Sequence, residues 1–423
     1  MAEIKAQAGS GMQPARPQLI RTMNEQLLLN QIRQLGLCSR ADLARLSGLS
    51  KPTVSLALAS VERSGLVRTA GQRTGVPGRS AVLYEIRPEA GYVLGLDIGH
   101  EYLRGAVTDL TGEIRAKAES ACRAASVRRR VSELIRLADG ICAAAGIARD
   151  DVTQTVLGSP GVYDPKRDAI TLTGGMAGWD KPEVLAGLRR AFGENLAVEN
   201  DTDAAALAER EHGHGREFPS FVFVSIGSGI GMGLVLGGQL HRGAHGVAGE
   251  IAYLPITDGP GGDVGDDEVR RRGTLEAVGS AAAIVRAARR AGLRTQSARQ
   301  VFAAAAAGDD RAVAIVAAEA RLAANAICAI IAVVDPGLVV LGGGIGQAPG
   351  FAAAVTAELR RIAPVLPELR VSALGTSAVV DGCLASGADL AWRRLTAQLA
   401  QSQADQAPVA LDGDQAVALP AVT

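Results

Sequence analysis

The stretch VENDTDAAALAE, residues 198–209, sets an amide and a carboxylate side by side where an apolar run gives way to an Ala-rich one. That change of pattern predicts a strand turning into a helix, with Asp201 at the turn. A carboxylate beside a helix N-terminus either caps the free N–H groups or faces a ligand, and Asn200 can hydrogen-bond a hydroxylated one. Asp201 is thus open to three readings: general base, binding residue or cap. Three glycine-rich turns offer a second chemistry: Asp97-Ile98-Gly99, the run with Gly227, Gly229 and Gly231, and the triplet containing Gly343. Glycine lets backbone N–H groups come close to an anion, so each could cradle a phosphate. Taken singly, each is equally an ordinary hairpin or turn.

The elements that must position these residues are read from the surrounding pattern. YVLGLDIGHEYLRGAVTDLTGEI and FVFVSIGSGIGMGLVLGGQL both read as strand, turn, strand and hairpin, and LVVLGGGIG closes a further strand before an Ala-rich helix. The repetition predicts two related α/β lobes with a cleft between them, 92–205 and 206–395, the C-terminal helix being free to return to the first lobe. Residues 1–19 and the Gln-, Ala- and Asp-rich tail 397–423 lack a sustained pattern and are expected to be disordered.

The front end, 20–88, has a different grammar. Leu27, Leu28, Ile32 and Leu35 recur at helical spacing up to Gly36. Ser39 with Asp42 forms a capping-box pattern for a second helix, whose Leu43 and Leu46 should face inward and which stops at Gly48. Ser50 caps a third, with Pro52 in its first turn and Val54, Leu58 and Val61 as its buried stripe. Helix, tight turn and helix followed by two strands is a winged helix-turn-helix, an all-α domain with a β wing that binds double-stranded DNA. Lys51, Thr53 and Ser55 are its candidate base and phosphate contacts, and Arg73 and Arg79 lie in the wing.

Charge agrees. The chain of 423 residues has zero formal net charge, but residues 1–91 hold 12 Lys and Arg against 6 Asp and Glu, so only the front end suits phosphate. The five cysteines, at 38, 122, 142, 328 and 383, form no CxxC and read as reduced thiols. The longest apolar run, 323–334, is interrupted by Asn325 and is shorter than a bilayer span, so no membrane partner and a cytoplasmic, nucleoid-associated location are expected.

The order of motifs DIG, SPG, GW, ENDxxAAALAE, GSGIGxG, AGEI, GTLE and LGGG, behind a winged helix-turn-helix, resembles the ROK family of repressors, open reading frames and sugar kinases. The resemblance runs from about Arg21 to about Trp392. It implies an α/β, actin-like (ribonuclease H-like) two-lobe ATPase fold and homodimers or homotetramers. In sugar kinases of the family the END aspartate takes the proton from the attacking sugar hydroxyl, which would make Asp201 the base. Asn200, Glu250, Glu276 and Tyr253 then fall at sugar-binding positions.

Several family features are changed. Tyr253 stands in AGEIAY where a histidine binds sugar and zinc, no cysteine occurs from 257 to 276, and Thr274 takes the last one's place. No zinc or other metal is expected; Asp263, Asp266 and Asp267 are oxygen donors in an acidic loop, and His212, His214, His241 and His245 have no secure ligand spacing. Where kinases read DIGGT, this chain has His100 and Glu101, and Gly175 stands where an asparagine often precedes the GW pair. Those changes make Asp97, Gly99, Gly227, Gly229, Gly231 and Gly343 vestigial phosphate loops, with ATP binding doubtful and no cofactor expected. The reading is a DNA-binding transcriptional regulator, most simply a repressor, whose body senses a sugar and sets operator affinity through dimer geometry. The alternative is an ATP-dependent sugar kinase carrying a DNA-binding arm.

Overall fold

Local capping writes the first helices. A computed structural model describes residues 17–73, 81–122, 126–256 and 266–405, and the described residues form two units, one up to residue 90 together with 392–405 and one within 91–391. In the first unit the helices Pro17–Leu35, Arg40–Ser47 and Lys51–Arg63 are followed by strands Val67–Arg73 and Ala81–Ile86. Ser39 accepts from the Asp42 N–H while the Asp42 carboxylate accepts from the Ser39 N–H, the reciprocal capping box. Gly48 ends that helix at φ 70°, and Ser50 caps the next by accepting from the Thr53 N–H. Val54, Leu58 and Val61 are fully buried as expected. Cys38–Ser39 adds a short third strand to the two-stranded wing.

Three expectations for this unit are corrected. Leu27 and Leu35 are exposed, and the buried stripe of the first helix is Glu25, Leu28, Leu29 and Ile32, the i, i+3, i+4, i+7 face. Glu25 is tolerated there because Arg21 reaches its carboxylate at 3.1 Å. Leu46 is exposed too: in a helix of eight residues Leu43 alone points between its neighbours. The first helix begins at Pro17 and the last runs from Ala378 to Asp405, so ordered structure extends past both limits set for the disordered ends. Trp392, on the last helix, receives the Arg33 guanidinium over its ring at 5.5 Å.

The second unit is a structural duplication. Its first sheet runs, edge to edge, Leu196–Asn200, Val152–Ser159, Tyr92–Ile98, Tyr102–Asp109, Ile114–Ala121; its second runs Glu368–Val371, Leu338–Gly342, Phe221–Ile226, Ile230–Leu236, Gln239–Leu240. Numbered within each lobe, both read 3-2-1-4-5, with three antiparallel strands and two added in parallel. In open sheets of this kind ligands bind beyond the carboxyl ends of the parallel strands. Those ends are where Asp97, Ser159, Asn200, Gly227 and Gly343 lie.

Alternation along Tyr92–Ile98 distributes its two faces. Leu94, Leu96 and Ile98 pack with Leu134 and Ile141 of helix Val127–Ala145 and with Leu188 of helix Pro182–Phe192. On the other face the last helix crosses the same sheet, its Cys383 thiol directed at the Leu96 carbonyl. In the second lobe helix Asp310–Val334 is apolar and long enough to cross a bilayer by length and composition. Instead it is a core helix, burying Leu322, Ile327, Ile330 and Ile331 against the sheet. The expected lobe limit at 205/206 falls inside helix Asp201–His212, which packs on the second sheet from Thr202 onward because Gly231 and Gly233 leave it room.

The crossing of the last helix depends on missing side chains. A Cβ at Gly382 would stand 1.7 Å from the Ala204 carbonyl oxygen, and one at Gly158 2.4 Å from Val379. Gly382→Val is expected to destabilise the body by about 3 kcal/mol or more, the upper range for overpacking, because backbone cannot yield as a side chain does. Urea unfolding followed by circular dichroism checks this; a midpoint equal to wild type contradicts it.

Candidate functional site

A cleft of ≈ 200 Å³ opens between the two sheets, lined from one side by Gly161, Gly174, Gly175, Asn200 and Asp201 and from the other by Gly227, Gly229, Glu250, Tyr253, Arg272 and Glu276. All five sugar-position residues expected from sequence therefore meet in one place. How each is held begins with the helix Asp201–His212.

Asn200 is the cap of that helix. Its Oδ1 accepts from the N–H groups of Thr202 (2.9 Å) and Asp203 (3.1 Å) and from the Thr202 hydroxyl (2.6 Å), while its Nδ2 donates to the Gly161 carbonyl at 3.1 Å. One Nδ2 hydrogen is left for a ligand. Gly161 is fixed in turn by its φ of 88° and by the Thr171 carbonyl, 2.4 Å from where a Cβ would sit. Just upstream, the Ser159 hydroxyl receives the indole N–H of fully buried Trp179 at 2.8 Å. With Asn200 as the cap, the Asp201 carboxylate lines the cleft, where Oδ1 accepts the Thr202 N–H at 2.8 Å.

Burial raises the carboxyl of Asp201 to about 6, against the pull of nearby backbone N–H groups. Glu250 is raised to about 7, by burial first and then by Asp201 and Glu276. Glu276 is raised by burial, although its Oε2 accepts the Ile230 N–H at 3.0 Å and Arg272 lies 3.6 Å from Oε1. Asp97, behind the cleft at the end of its strand, reaches about 7 through burial and the charge of Asp201, with Arg104 at 3.4 Å opposing. Asp203, next to Glu199 and buried with an unpartnered Oδ1, is raised to about 8 by burial. The cleft therefore offers a crowded set of acceptors that pay in repulsion for standing together, an arrangement suited to a ligand rich in hydroxyl donors.

The glycines are explained mainly by packing. A Cβ at Gly229 would sit 2.9 Å from Glu276 Oε2, and one at Gly231 2.9 Å from the Thr202 methyl. Gly343 has φ 74° and no room before the Ile226 carbonyl. A Cβ at Gly227 would make ordinary contact with Gly344 N at 3.4 Å and Gly343 Cα at 3.9 Å, and Gly227 lines the cleft. In the first loop Gly99 donates its N–H to the Tyr102 carbonyl. The carbonyls of Gly99 and His100 are clamped by the Arg130 guanidinium, at 2.6 and 3.3 Å.

Sequence reasoning missed three features. Arg130 comes from a helix thirty residues on, and nothing local announces it. Arg272 lines the cleft with its Nε unpartnered, and only its place beside the GTLE run pointed there. His100 and Gly175, separate departures in sequence, meet in space: His100 Nε2 lies 2.9 Å from where a Cβ at 175 would stand, so the imidazole fills the volume that a longer residue there would need. Burial and the charges of Arg130 and Arg272 lower its pKa, keeping the ring neutral near pH 7.

Tyr253 is 38% exposed and leans its hydroxyl toward the Arg271 carbonyl at 3.4 Å, lining the cleft without plugging it. With a phenol there and a hydroxyl at Thr274, the donors present do not fit a tetrahedral N/S zinc site. Asp266 and Asp267 open helix Asp266–Arg272, a correction to the loop expected for them, while Asp263 lies outside the described residues. Of the DNA candidates, Lys51 is exposed, Ser55 half-buried, and Thr53 shares its hydroxyl with Ser50 in the cap at 2.8 Å. Arg73 pairs with Asp42 at 3.5 Å, an exposed contact that phosphate can compete for, and Arg79 lies outside the described residues.

Comparison with known proteins agrees with these motifs. The xylose repressor of Bacillus subtilis is 27% identical over 237 residues, a match covering 56% of this chain and 61% of that protein's length. Among solved structures, the ROK hexokinase of Thermus thermophilus is 30% identical, with a TM-score of 0.57 over 70% of this chain and 97% of that one. A ROK family transcriptional regulator, homolog of the E. coli MLC protein, reaches a TM-score of 0.69 over 90% of this chain and 99% of its own at 24% identity, a likeness of fold. The family model described as ROK matches residues 93–393, and the chain belongs to the ROK family.

Proposed function

We propose that this protein is a sugar-responsive, DNA-binding transcriptional regulator acting as a repressor, with Asp201 a binding residue. The observation that carries the reading is the pairing, in one chain, of a winged helix-turn-helix with a cleft on which the half-buried Asp201 and Glu250 and the buried Glu276 converge from both lobes. Its partners are double-stranded operator DNA, a sugar and a second copy of itself, as dimer or tetramer, in the cytoplasm. A sugar bridging the lobes relieves their repulsion and favours the closed state; if the open and closed states differ in operator affinity, the sugar shifts the population between them. No zinc or nucleotide is required for that role.

A second reading, sugar kinase, draws on the Asp201 carboxyl near 6, a value suited to a general base, and on the hexokinase likeness. Against it stand the first loop, whose carbonyls are tied to Arg130, and the neutral His100 ring beside it. Calorimetry with a panel of sugars, run alongside an ADP-release assay, separates the two. The regulator reading expects one sugar to bind without turnover; sugar-dependent ADP release abolished by Asp201→Asn would replace it with the kinase.

The carboxyl shifts fix the pH dependence. A carboxyl raised in the free protein must ionise to accept sugar hydroxyls fully, so affinity rises as pH climbs through about 6 to 7 and levels above. Protons are released on binding in that window. Titration in buffers of different ionisation enthalpy measures the release; a flat profile with no release contradicts it. Asp201→Asn is expected to weaken the sugar by about tenfold or more, the worth of one hydrogen bond to a charged group.

A further inference from the structure

The helix Lys51–Arg63 buries Val54, Ala57, Leu58 and Val61 on one side. Its outward side is unusual for a helix facing water. Leu56 is 75% exposed, and Pro52, Leu56, Ala59 and Arg63, spaced at i, i+4, i+7 and i+11, share its face. Between Lys51 at one end and Arg63 at the other, that face presents an apolar ridge with small neighbours, and Thr53 turns its hydroxyl into the cap. A single exposed leucine needs no explanation on an arbitrary surface. This one is centred on the helix that follows the tight turn, in a front end holding 12 basic against 6 acidic residues, so charge complementarity selects a polyanion as the partner of the face.

Among the groups on the floor of the DNA major groove, the thymine C5-methyl is the apolar one. We propose that Leu56 is a specificity-determining residue that reads a thymine methyl group at a fixed position of the operator. The inference rests on the DNA-binding reading above. Lys51 and Arg63 then grip phosphates on either side without sequence preference, and the small side chains at Ser55 and Ala59 let the helix approach closely enough for Leu56 to touch the base.

The test selects bound duplexes from a random pool at fixed near-physiological salt, then replaces each thymine of the selected site with deoxyuridine, which lacks only the methyl. One position is expected to lose about four-fold in affinity, the factor corresponding to ~0.8 kcal/mol for one buried methyl. Leu56→Ala should bind the original site more weakly and no longer distinguish thymine from deoxyuridine there, while Lys51→Ala weakens thymine and deoxyuridine sites alike. Deoxyuridine tolerated at every position, or methyl discrimination retained by Leu56→Ala, overturns the proposal, as does a Leu56→Ala variant that changes only the oligomeric state. Failure to select any duplex at all counts instead against the DNA-binding reading itself.

Discussion

Like charge gathered at the strand ends is the constraint on which the body depends. Asp201, Glu250 and Glu276 line one cleft, with Asp97 close behind, and burial raises all four. Held without a ligand they cost free energy, offset locally by Arg104, Arg272 and the Ile230 N–H. Asp97 stands at a strand end, Asp201 and Glu276 in first helical turns and Glu250 just ahead of the 3-10 turn Ile251–Tyr253, and Asn200 takes the capping duty that Asp201 would otherwise perform. A polyol's hydroxyls would supply donors to this array, and Asp201 belongs to one wall while Glu250 and Glu276 belong to the other, so the proposed ligand would touch both lobes at once.

The remaining features serve that arrangement. The repeated 3-2-1-4-5 sheets set two rows of strand ends face to face. The last helix lies close on the first sheet at Gly95 and Gly158 and close on helix Asp201–His212 through its own Gly382, and helix Asp201–His212 lies close on the second sheet through Gly231 and Gly233. In each case absence of a side chain makes room, for backbone at Gly233 and Gly382 and for side chains at Gly158 and Gly231, so Gly231, which in sequence suggests phosphate chemistry, serves packing. The first loop shows the divergence most clearly, with Arg130 on its carbonyls and the His100 ring filling the space over Gly175.

Much of this was legible in the sequence where the determinants are local. The Ser39–Asp42 capping box, the Ser50 cap, the stop at Gly48 and the duplicated Gly-rich strand pairs each depend on residues a few positions apart. The resemblance to the ROK family brought Asn200, Asp201, Glu250, Tyr253 and Glu276 together before any coordinates did. What escaped was non-local or a matter of phase. Leu27, Leu35 and Leu46 fit a helical period yet sit on the rim, since periodicity does not say which arc of a helix a neighbour covers. Arg130, Arg272 and the meeting of His100 with Gly175 are set by tertiary approach, and the exposure of Leu56 follows from how its helix packs.

The central claim is that occupancy of the cleft changes the grip on DNA. It is tested most directly by fluorescence anisotropy of the full chain on a selected duplex, at fixed near-physiological salt with unrelated competitor DNA, titrated with a panel of sugars. One sugar is predicted to lower the affinity in wild type and to have little effect on Asp201→Asn at the same concentration. A sugar that calorimetry shows to be bound, yet leaves duplex affinity unchanged in wild type, would contradict it.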